Sequence, residues 1–355
     1  MRTNDEKIYP LISIIVANWN SIRFRKLLDE FFESVFNLEY PNDRYEVIVV
    51  DNGSKDSSYK YIKEKYHNIK LIKLDKNYGF TKANNIGASF SRGEFLALIN
   101  NDTVLEKNWL IEMVKYASKN ADNIYCSNML RYDKRDIISF NGGKLLSWGW
   151  TYPMQCYEED KSNESNPILS FYADGCGTLI SKKLFFALGG FDEDYHTYCE
   201  DYSLSWKAQL QGHKIYCIPT SKFYHNVSTT MGSRSLFTVY LLWRNRLRNM
   251  IKYPEIFTLL TMLPIYVACS IVTIVMIYLY QERNVSLIYP IVKAHIHVLL
   301  EFPKLLMERR IIQKDRKITD KELADIGLML SFSESIRMVF KFLKYRTRFL
   351  KGIKK

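Results

Sequence analysis

The chain has 355 residues, of which 47% are hydrophobic and 25% are charged. This length and composition exclude a largely disordered protein and allow a sizeable folded core with an appended region. The formal net charge of +12 favours phosphate-rich partners, namely nucleotides, anionic lipid surfaces or nucleic acids, and does not choose among them.

The N-terminus carries charged residues but no apolar segment followed by a cleavage site, so we expect no secretory signal. Its first apolar run, residues 11–17, is continuous, as in a strand that is buried on both faces. The six cysteines form no C-x-x-C pair, which favours free thiols in a reducing compartment over disulfides or a zinc site.

Further strands are predicted at 45–51, 69–74 and 94–100. Between them lie helical patterns at 22–38, in DSSYKYIKEKY, where Asp56 is a candidate N-cap, and in FTKANNIGASF. This order predicts an α/β fold with a mostly parallel central sheet and helices on both faces.

The turn-rich segment 122–167 predicts short strands and loops. After it, GCGTLIS and KIYCIP are typical of strands, and EDYSLSWKAQLQG is typical of a helix that ends at Gly212.

Each of the four N-terminal strands ends in polar residues, in the sequences ANWN, DNGS, DKNYGF and NNDT. In an open parallel sheet, ligands bind beyond the carboxyl ends of the strands. A single Asp or Asn at such a position is most simply a helix cap or turn former, but four together favour a ligand site.

Six segments together resemble the successive blocks of family-two inverting glycosyltransferases of GT-A fold, particularly the rhamnosyltransferase-like branch. They are ISIIVANWN, YEVIVVDNGSKDSS, NYGFTKANNIG, EFLALINNDTVLEKNWL, the block GCGTLISKKLFFALGGFDEDYHTYCEDYSLSWKAQLQGHKIYCIP, and FYHNVSTTMG. They cover about residues 10–232 in the family's order.

The resemblance implies a nucleotide-sugar donor, with Asp51 bonded to the base of the nucleotide. The full set of implied donor-binding residues is Ala17, Asn18, Asn20, Asp51, Asn77, Gly79, Asn84 and Asn101.

The resemblance also implies a Mn²⁺ or Mg²⁺ ion near Asp102 and His225. NNDT departs from the family's D-x-D motif, because Asn100 stands where a first carboxylate is usual. Such ions bind through one or two carboxylates together with substrate phosphates, so the motif remains compatible with a metal. An imidazole would favour Mn²⁺. Without the resemblance, His225 is more simply a structural histidine.

In the same way Asp201 is implied as the general base, which takes the proton of the attacking acceptor hydroxyl. Adjacent acids at a helix start, here Glu200 and Asp201, are otherwise often favourable to the helix dipole. The implied acceptor side contains Trp148, Trp150, Asp174, Gly175 and Glu200.

The tryptophans have the alternative of packing under their loop. Arg244 and Arg246 follow the loop TTMGSRS and are interpreted either as closing over the donor diphosphate or as flanking charges of an apolar segment.

Beyond the motif blocks, 256–281 holds no charged residue and is long enough to cross a bilayer, for which about 20 residues suffice. A second apolar run at 285–302 is weaker, and basic residues flank the pair on both sides. The positive-inside rule then predicts a hairpin or two in-plane helices, with both flanks in the cytoplasm. A buried hairpin in a soluble domain is the alternative.

The last segment, after Ser335, resembles a basic surface helix for anionic headgroups, or else a solvated tail. The predicted organisation is a catalytic domain at 1–232, a basic linker helix at 233–254, an apolar hairpin at 255–303 and basic amphipathic helices at 304–355.

Taken together, the resemblance and the apolar segments predict a glycosyltransferase on the cytoplasmic side of the cell membrane. It would move one sugar from dTDP-rhamnose or a UDP-hexose to a lipid-linked or glycan acceptor in surface polysaccharide assembly. No Q-x-x-R-W signature of processive synthases is present, since the corresponding region has the sequence VYLLWRNRL. Oligomeric state is left open.

Three other classes of protein fit the sequence less well than this enzyme. A nucleotidyltransferase would need a loop such as G-x-G-T-R-x-x-P near the N-terminus, where the chain has ANWNSIRFRK. A membrane-bound scaffold that only binds sugar nucleotides would usually have lost the base, whereas Asp201 is present. A nucleic-acid binder has only the positive charge in its favour, and lipid explains a charge concentrated near the C-terminus better.

Overall fold

A computed structural model of the chain describes residues 9–161, 166–226, 235–280 and 285–353. The strands are β1 (Ile12–Asn18), β2 (Tyr45–Asp51), β3 (Lys70–Lys73), β4 (Phe95–Leu98), β5 (Thr103–Leu105), β6 (Ile124–Arg131), β7 (Ile138–Phe140), β8 (Gly143–Leu145), β9 (Thr151–Pro153), β10 (Ile168–Leu169), β11 (Thr178–Ser181) and β12 (Ile215–His225).

The helices are α1 (Arg25–Phe36), α2 (Ser58–Lys65), α3 (Phe80–Ser89), α4 (Trp109–Ala117), α5 (Lys182–Ala187), α6 (Glu200–Leu210), α7 (Leu236–Lys252), α8 (Ile256–Tyr280), α9 (Ile288–Leu300), α10 (Phe302–Lys314), α11 (Asp320–Asp325) and α12 (Phe332–Ile353). Short 3₁₀ segments lie at Ile22–Phe24, Glu193–Tyr195 and Val285–Leu287.

The N-terminal half of the main sheet is parallel, as the sequence predicts. The order β4-β1-β2-β3 is built from parallel pairs only, and helices connect successive strands. Because β1 and β2 are nearly continuous runs of buried residues, this is the centre of the core. The carboxyl ends of β1, β2 and β4 therefore meet at one edge.

The prediction of a mostly parallel sheet is wrong for the other half, which is mixed. β11 pairs antiparallel with both β4 and β6, while β12 runs parallel to β6 and antiparallel to β5 and β10. These added strands are mostly two to four residues long. Strands of this length have too few residues to show a recognisable hydrophobic pattern, so the sequence predicts neither their position nor their direction in the sheet.

Helix α7 occupies the segment predicted as a basic linker, but it is packed into the core of the protein. Arg248 is completely buried and pairs with Asp194 and with Glu301, and Lys252 pairs with Asp192. Two of its four basic residues, Arg248 and Lys252, are thus held by ion pairs within the protein, which accounts for part of the charge that the sequence alone suggested was a membrane flank.

Helix α8 is long and apolar enough to cross a bilayer by length and composition, with a mean hydropathy of 2.3 over Ile256–Leu279. Only 17% of that window is buried. The second apolar run forms α9, whose 13 residues reach about 20 Å, short of the roughly 30 Å of a bilayer core. Among the described residues, α8 alone is therefore long and apolar enough to span a bilayer.

One stripe of α8 is packed against the rest of the protein. Met262, Tyr266 and Ser270 are buried at helical spacing. Around the middle of the helix, Cys269 packs in a cluster with Trp148 and with Phe342 of the basic helix α12. Helix α8 thus contacts a charged helix at mid-length, while large side chains on its other faces, among them Leu260 and Val272, are exposed.

Candidate active site

A cleft of ≈ 260 Å³ lies at the carboxyl ends of β1, β2 and β4. Its walls come from these strand ends, from the loop before α3, from the segment before α6 and from the end of β12. The lining residues are Ala17, Asn18, Trp19, Asn52, Asn77, Gly79, Phe80, Asn100, Asn101, Asp102, His196, Thr197, Tyr198 and His225. Five of the eight predicted donor-binding residues are among them, namely Ala17, Asn18, Asn77, Gly79 and Asn101.

The other three predicted donor-binding residues do not line the cleft in this structure. Asp51 is fully buried behind it, where its carboxylate accepts from Asn18 Nδ2 and Ser54 Oγ, each at 2.7 Å. Asn20 accepts from the backbone N–H of Lys55, and the buried Asn84 donates to the carbonyl of Phe80. Asp51 and Asn20 thus join the loops after β1 and β2, whereas Asn84 bonds within its own helix α3.

A relay of amides fixes the floor of the cleft. Asn101 Nδ2 donates to Asn18 Oδ1 (2.7 Å), and Asn18 donates onward to Asp51. Beside it, Asn52 donates to Asn77 Oδ1 and to the carbonyl of Gly79, each at 3.0 Å. Asn52 was not among the predicted site residues, although its place directly after Asp51 at a strand end was a usable signal.

Gly79 lets the loop before α3 touch the segment before α6. It has φ +93°, and a Cβ there would lie 2.5 Å from both Nδ1 and the carbonyl oxygen of His196. The contact brings His196, Thr197 and Tyr198 into the cleft wall. Sequence reasoning missed these three residues, whose one signal was their position directly before the predicted base in its motif block.

The predicted metal residues are adjacent. Asp102 is 4% exposed, and its Oδ1 lies 3.2 Å from His225 Nε2. The pair is not aligned as a hydrogen bond, so Oδ1 has no donor among the described residues. Burial lowers and the Asp102 charge raises the pKa of His225, and the net shift is upward.

A buried carboxylate oxygen without a donor, next to an imidazole, fits a divalent ion that takes its remaining ligands from substrate phosphates and water. No group of three or more metal-ligating side chains occurs among the described residues. The protein by itself would therefore supply two ligands to the ion.

A second cleft of ≈ 230 Å³ is continuous with the first, because Phe80, Asn100, Thr197 and Tyr198 line both. It brings together four other predicted site residues, which are Asp174, Gly175, Glu200 and Asp201. Gly175 is needed for the close approach, since a Cβ there would lie 3.3 Å from the Asp201 Cβ.

The carboxyl groups of this second cleft hold protons unusually tightly. Burial and the nearby Asp174 charge raise the pKa of Asp201 to about 7, although the backbone N–H groups of Gly175 and Tyr202 donate to it. Burial and Asp201 raise the pKa of Glu200 well above its ordinary value, and burial raises that of Asp174. A carboxyl group that titrates near neutral pH is suited to accept a proton in a reaction.

The backbone that leads to Asp201 is strained. His196, Tyr198 and Cys199 have φ of 63°, 69° and 67°, a region that costs non-glycine residues about 1–2 kcal/mol each. Asn245 of α7, which is fully buried, holds the segment in place. Its Nδ2 lies 3.1, 3.0 and 2.7 Å from the carbonyl oxygens of Tyr195, Thr197 and Tyr198.

Arg244 reinforces this clamp, because it donates to the carbonyl oxygens of Asp194 and Tyr195. Arg244 is therefore buried against the segment before α6 and does not line the first cleft. Of the preceding loop TTMGSRS, only Ser235 lies within the described residues, so a closing movement of that loop falls outside them.

The two predicted acceptor-side tryptophans line neither cleft. Trp148 is buried against Phe332 of α12, and Trp150 packs edge-on against Trp243, with the guanidinium of Arg246 4.6 Å from its ring. The structure therefore favours the packing alternative for Trp148 and leaves Trp150 next to a cation.

A family model for Glycosyl transferase family 2 matches residues 13–185. This range holds nearly all of β1, the strands β2 to β11 and the cleft residues from Ala17 to Asp102, whereas His196, Thr197, Tyr198 and His225 lie after it. Poly-beta-1,6-N-acetyl-D-glucosamine synthase of Staphylococcus epidermidis is 27% identical over 67% of this chain and 53% of its own length. N-acetylgalactosaminyltransferase 6 of Drosophila melanogaster is 24% identical over 61% of this chain and 34% of its own. The chain thus spans about a third to about a half of these relatives.

Solved structures share the fold. GalNAc-T7 with UDP, GalNAc and Mn²⁺ superposes with a TM-score of 0.58 at 19% identity, covering 70% of this chain and 49% of that one. Residues 1–349 of S. aureus TarS with UDP-GlcNAc give 0.54 at 17% identity, covering 79% of both chains. Residues 13–185 thus match the glycosyl transferase family 2 model, and most of the chain shares its fold with these solved structures.

Proposed function

We propose that the protein is an inverting glycosyltransferase that moves one sugar from a nucleotide-diphosphate sugar to a lipid-linked acceptor at the membrane. The observation that carries the proposal is the continuity of the two clefts. Asp102 and His225 line the first, Asp201 lines the second, and Asn100 belongs to both. A leaving group held at one side and a base held at the other suit an in-line displacement.

The first cleft suits the donor. Its floor is a fixed set of amide groups, which offer donors and acceptors to a nucleotide base and ribose without adding charge. Structural relatives were solved with UDP, UDP-GlcNAc and, for a Pyrobaculum calidifontis mannosyltransferase, GDP-Man and Mn²⁺. These support a UDP-hexose somewhat over dTDP-rhamnose, the donor expected from the rhamnosyltransferase-like resemblance.

The leaving diphosphate belongs near Asp102 and His225. A bound Mn²⁺ or Mg²⁺ would neutralise the charge that develops on the leaving diphosphate. The protein would hold the ion through the unpartnered Asp102 oxygen and His225 Nε2. Asn100, which replaces the usual first carboxylate, leaves more of the coordination to the donor itself.

The second cleft suits the acceptor. Its hydroxyl oxygen forms a bond to the anomeric carbon while the bond from that carbon to the diphosphate oxygen breaks, and the electron pair leaves with the diphosphate. The hydroxyl proton passes to the Asp201 carboxylate, whose pKa of about 7 matches that task. Attack from the face opposite the leaving group inverts the configuration. Glu200 and Asp174 would stay near the acceptor sugar as hydrogen-bonding groups.

The apolar helices support a membrane-associated acceptor, and the cytoplasmic side is proposed from the basic flanks of the apolar segments alone. α8 and α9 leave large side chains exposed, among them Phe257 at 80% and Leu300 at 77%. Exposed apolar faces of this size suit a bilayer surface.

The alternative is a scaffold that binds sugar nucleotides without turnover. Purified full-length protein in detergent should be screened against UDP-, dTDP- and GDP-sugars by thermal shift with and without Mn²⁺. A ligand at a hundredfold excess over its Kd raises the free energy of unfolding by about 2.7 kcal/mol. Slow hydrolysis of the stabilising donor, lost in Asp201→Asn, supports the enzyme; binding without any turnover in wild type or variant supports the scaffold.

A further inference from the structure

A further cavity, called the α12 cavity, lies between the C-terminal end of α12 and the segment 155–161 that follows β9. Its volume is ≈ 480 Å³. The wall on the α12 side is formed by Tyr345, Arg348 and Phe349, and the loop after β6 and strand β7 complete the opposite wall. Among the described residues it shares no lining residue with either cleft of the active site. It is therefore a separate site, to which the donor and the base give no role.

The carboxylates of the α12 cavity are largely neutralised by lysines. The Glu158 carboxylate lies 2.8 Å from Lys341 Nζ of α12, and the Asp160 carboxylate lies 2.6 Å from Lys222 Nζ of β12. Glu159 is the one lining carboxylate without an ion pair among the described residues. The acids of the cavity thus leave little negative charge for any further cation.

Three cations line the same cavity without a partner of this kind. Among the described residues, their side chains have neither a hydrogen bond nor an ion pair. They are Lys134, Lys161 and Arg348. Three free cations against one free carboxylate give the cavity a positive excess, so the ligand that fits it is an anion. The planar fork of an arginine together with the point charge of a lysine suits the oxygens of a phosphate group.

Aromatic packing fixes the place of Lys134 in this cavity. Its Nζ lies 5.2 Å from the centroid of the Phe349 ring, which is 9% exposed and packs against the Tyr157 ring at 5.3 Å. The guanidinium of Arg131 lies 4.6 Å from the same ring but is neutralised by Asp133. Lys134 is thus the free charge at this wall, and it comes from a different part of the chain than the arginine on α12.

The face of α12 that points away from the protein indicates the source of the phosphate. It carries an exposed apolar stripe at helical spacing, formed by Ile336 (37%), Phe340 (68%), Leu343 (45%) and Leu350 (47%). Between this stripe and the packed face runs a row of cations at the same spacing, namely Arg337, Lys341, Lys344 and Arg348. The packed face contacts the protein through Phe342 and Phe349.

An apolar stripe with cations along its edge is typical of a helix that lies at the surface of an anionic bilayer. The row of cations on α12 ends in the cavity, because Arg348 belongs to both. With the apolar stripe in the acyl region, the cavity would lie at the depth of the lipid headgroups. A lipid phosphate is therefore favoured over a phosphate free in solution, whose binding would leave the exposed stripe uncovered.

We propose that the α12 cavity binds the phosphate headgroup of an anionic membrane lipid, with Lys134 and Arg348 as its main contacts and the exposed Lys161 at its rim. The acyl chains would lie along the apolar stripe of α12. The proposal goes beyond the proposed function, because the site lies outside both clefts and gives membrane docking a preference for one class of lipid.

Short-chain phosphatidylglycerol and phosphatidylcholine of equal chain length test this preference. Their Kd values are measured by thermophoresis on full-length protein, labelled at its N-terminus, in an uncharged detergent. The wild type should bind phosphatidylglycerol at least about tenfold more tightly than phosphatidylcholine. Lys134→Gln and Arg348→Gln should each weaken phosphatidylglycerol binding by about fivefold, the usual contribution of one cation at an anionic membrane surface. The double variant should lose the preference.

Arg346→Gln is the matched control, because it removes the same charge from α12 two residues away at an exposed position that does not line the cavity. It should keep the phosphatidylglycerol Kd of the wild type within about twofold. Thermal unfolding of each variant shows that it is folded. Equal losses in Arg346→Gln and Arg348→Gln overturn the proposal, because they indicate attraction by the net charge of the helix without a headgroup site.

Competition experiments separate the lipid from other sources of negative charge. Inorganic phosphate at constant ionic strength should displace phosphatidylglycerol only weakly, and a soluble anionic oligosaccharide such as a hyaluronan tetrasaccharide should not displace it. If either binds as tightly as phosphatidylglycerol and depends on Arg348, the site takes a free phosphate or an anionic glycan, and the proposal is wrong. UDP affinity should be unchanged in all variants, since none of the changed residues lines the donor cleft.

Discussion

The two clefts of the active site are built in opposite ways. The donor cleft is made of strand ends whose amides satisfy one another, as Asn101, Asn18 and Asp51 do. The base cleft gathers three carboxyl groups whose pKa values are all raised, at the end of a strained backbone. The donor side is held by hydrogen bonds between the ends of neighbouring strands, whereas the base side depends on support from α7.

The largest effect is expected from Asp201→Asn, which removes the base and keeps the size of the side chain. Transfer should fall by about 10²- to 10⁴-fold, measured as product formed from the donor that the screen identifies. Donor binding should change little, because Asp201 lies outside the donor cleft.

The same variant should be more stable than wild type at alkaline pH. The folded-state pKa of about 7 lies above the unfolded value of about 3.9, so stability present below pH 4 is lost as pH rises through 7. Asparagine escapes that loss. Unfolding temperatures of both proteins should agree near pH 4 and separate at pH 8; equal values at pH 8 contradict the raised pKa.

Asn245→Ala tests the support of the base cleft from α7. The carbonyl oxygens of Thr197 and Tyr198 lose their Asn245 donor, while that of Tyr195 keeps Arg244, and the strained segment before Asp201 is freed to relax. We expect kcat to fall by about tenfold to a hundredfold through misplacement of the base, with a smaller change in donor Kd.

The matched control for that variant is Asn128→Ala, which also removes a fully buried amide, in β6. It should lower stability without lowering kcat of the folded protein. Equal kcat losses in both variants would mean that Asn245 acts only through stability.

Gly79→Ala perturbs the contact between the loop before α3 and the segment before α6. The added Cβ meets His196 at 2.5 Å and the residue is held at positive φ. We expect donor affinity to weaken by about tenfold, for a strain of about 1–2 kcal/mol. Gly212→Ala, also at positive φ but with open space around its Cβ, should lose stability and keep donor affinity.

The smallest effect is expected from Asn100→Asp, which adds a second carboxylate next to the predicted metal site. A second carboxylate should tighten Mn²⁺ binding by up to about tenfold, measured by calorimetry in the presence of UDP. Because Asn100 also lines the base cleft, the added charge should raise the pKa of Asp201 further. No gain in Mn²⁺ affinity would place the ion elsewhere.

Much of the part of the fold that forms the donor cleft, from β1 to β4, was predictable. In this part of the sequence, strands that end in polar residues alternate regularly with helices. The parallel order β4-β1-β2-β3 follows from long buried runs and their connections. The family resemblance predicted Ala17, Asn18, Asn77, Gly79 and Asn101 as one donor site, and their positions at strand ends are consistent with it. The position of Asp51 behind the cleft was not predictable from the sequence. A carboxylate at a strand end can face a ligand or accept hydrogen bonds from neighbouring side chains, and only the side-chain contacts in the structure distinguish the two.

The base half was less predictable, because its determinants are distant in sequence. Nothing in RNRLRN distinguishes the buried Arg248 and Asn245 from the partly buried Arg246, or shows that they reach a loop some fifty residues earlier. The mixed strands β10 and β11 are likewise set by tertiary pairing. The positive φ of His196, Tyr198 and Cys199 occurs in a segment that α7 holds through Asn245.

The most direct test of the central claim, that Asp201 is a base tuned by its buried neighbours, is the pH dependence of kcat/KM for transfer. The base must be deprotonated, so activity should rise with pH and level off above an apparent pKa near 7. The residual activity of Asp201→Asn should lack that rising limb. A wild-type profile that is flat from pH 5 to 9, or a limb that survives in Asp201→Asn, would contradict the account.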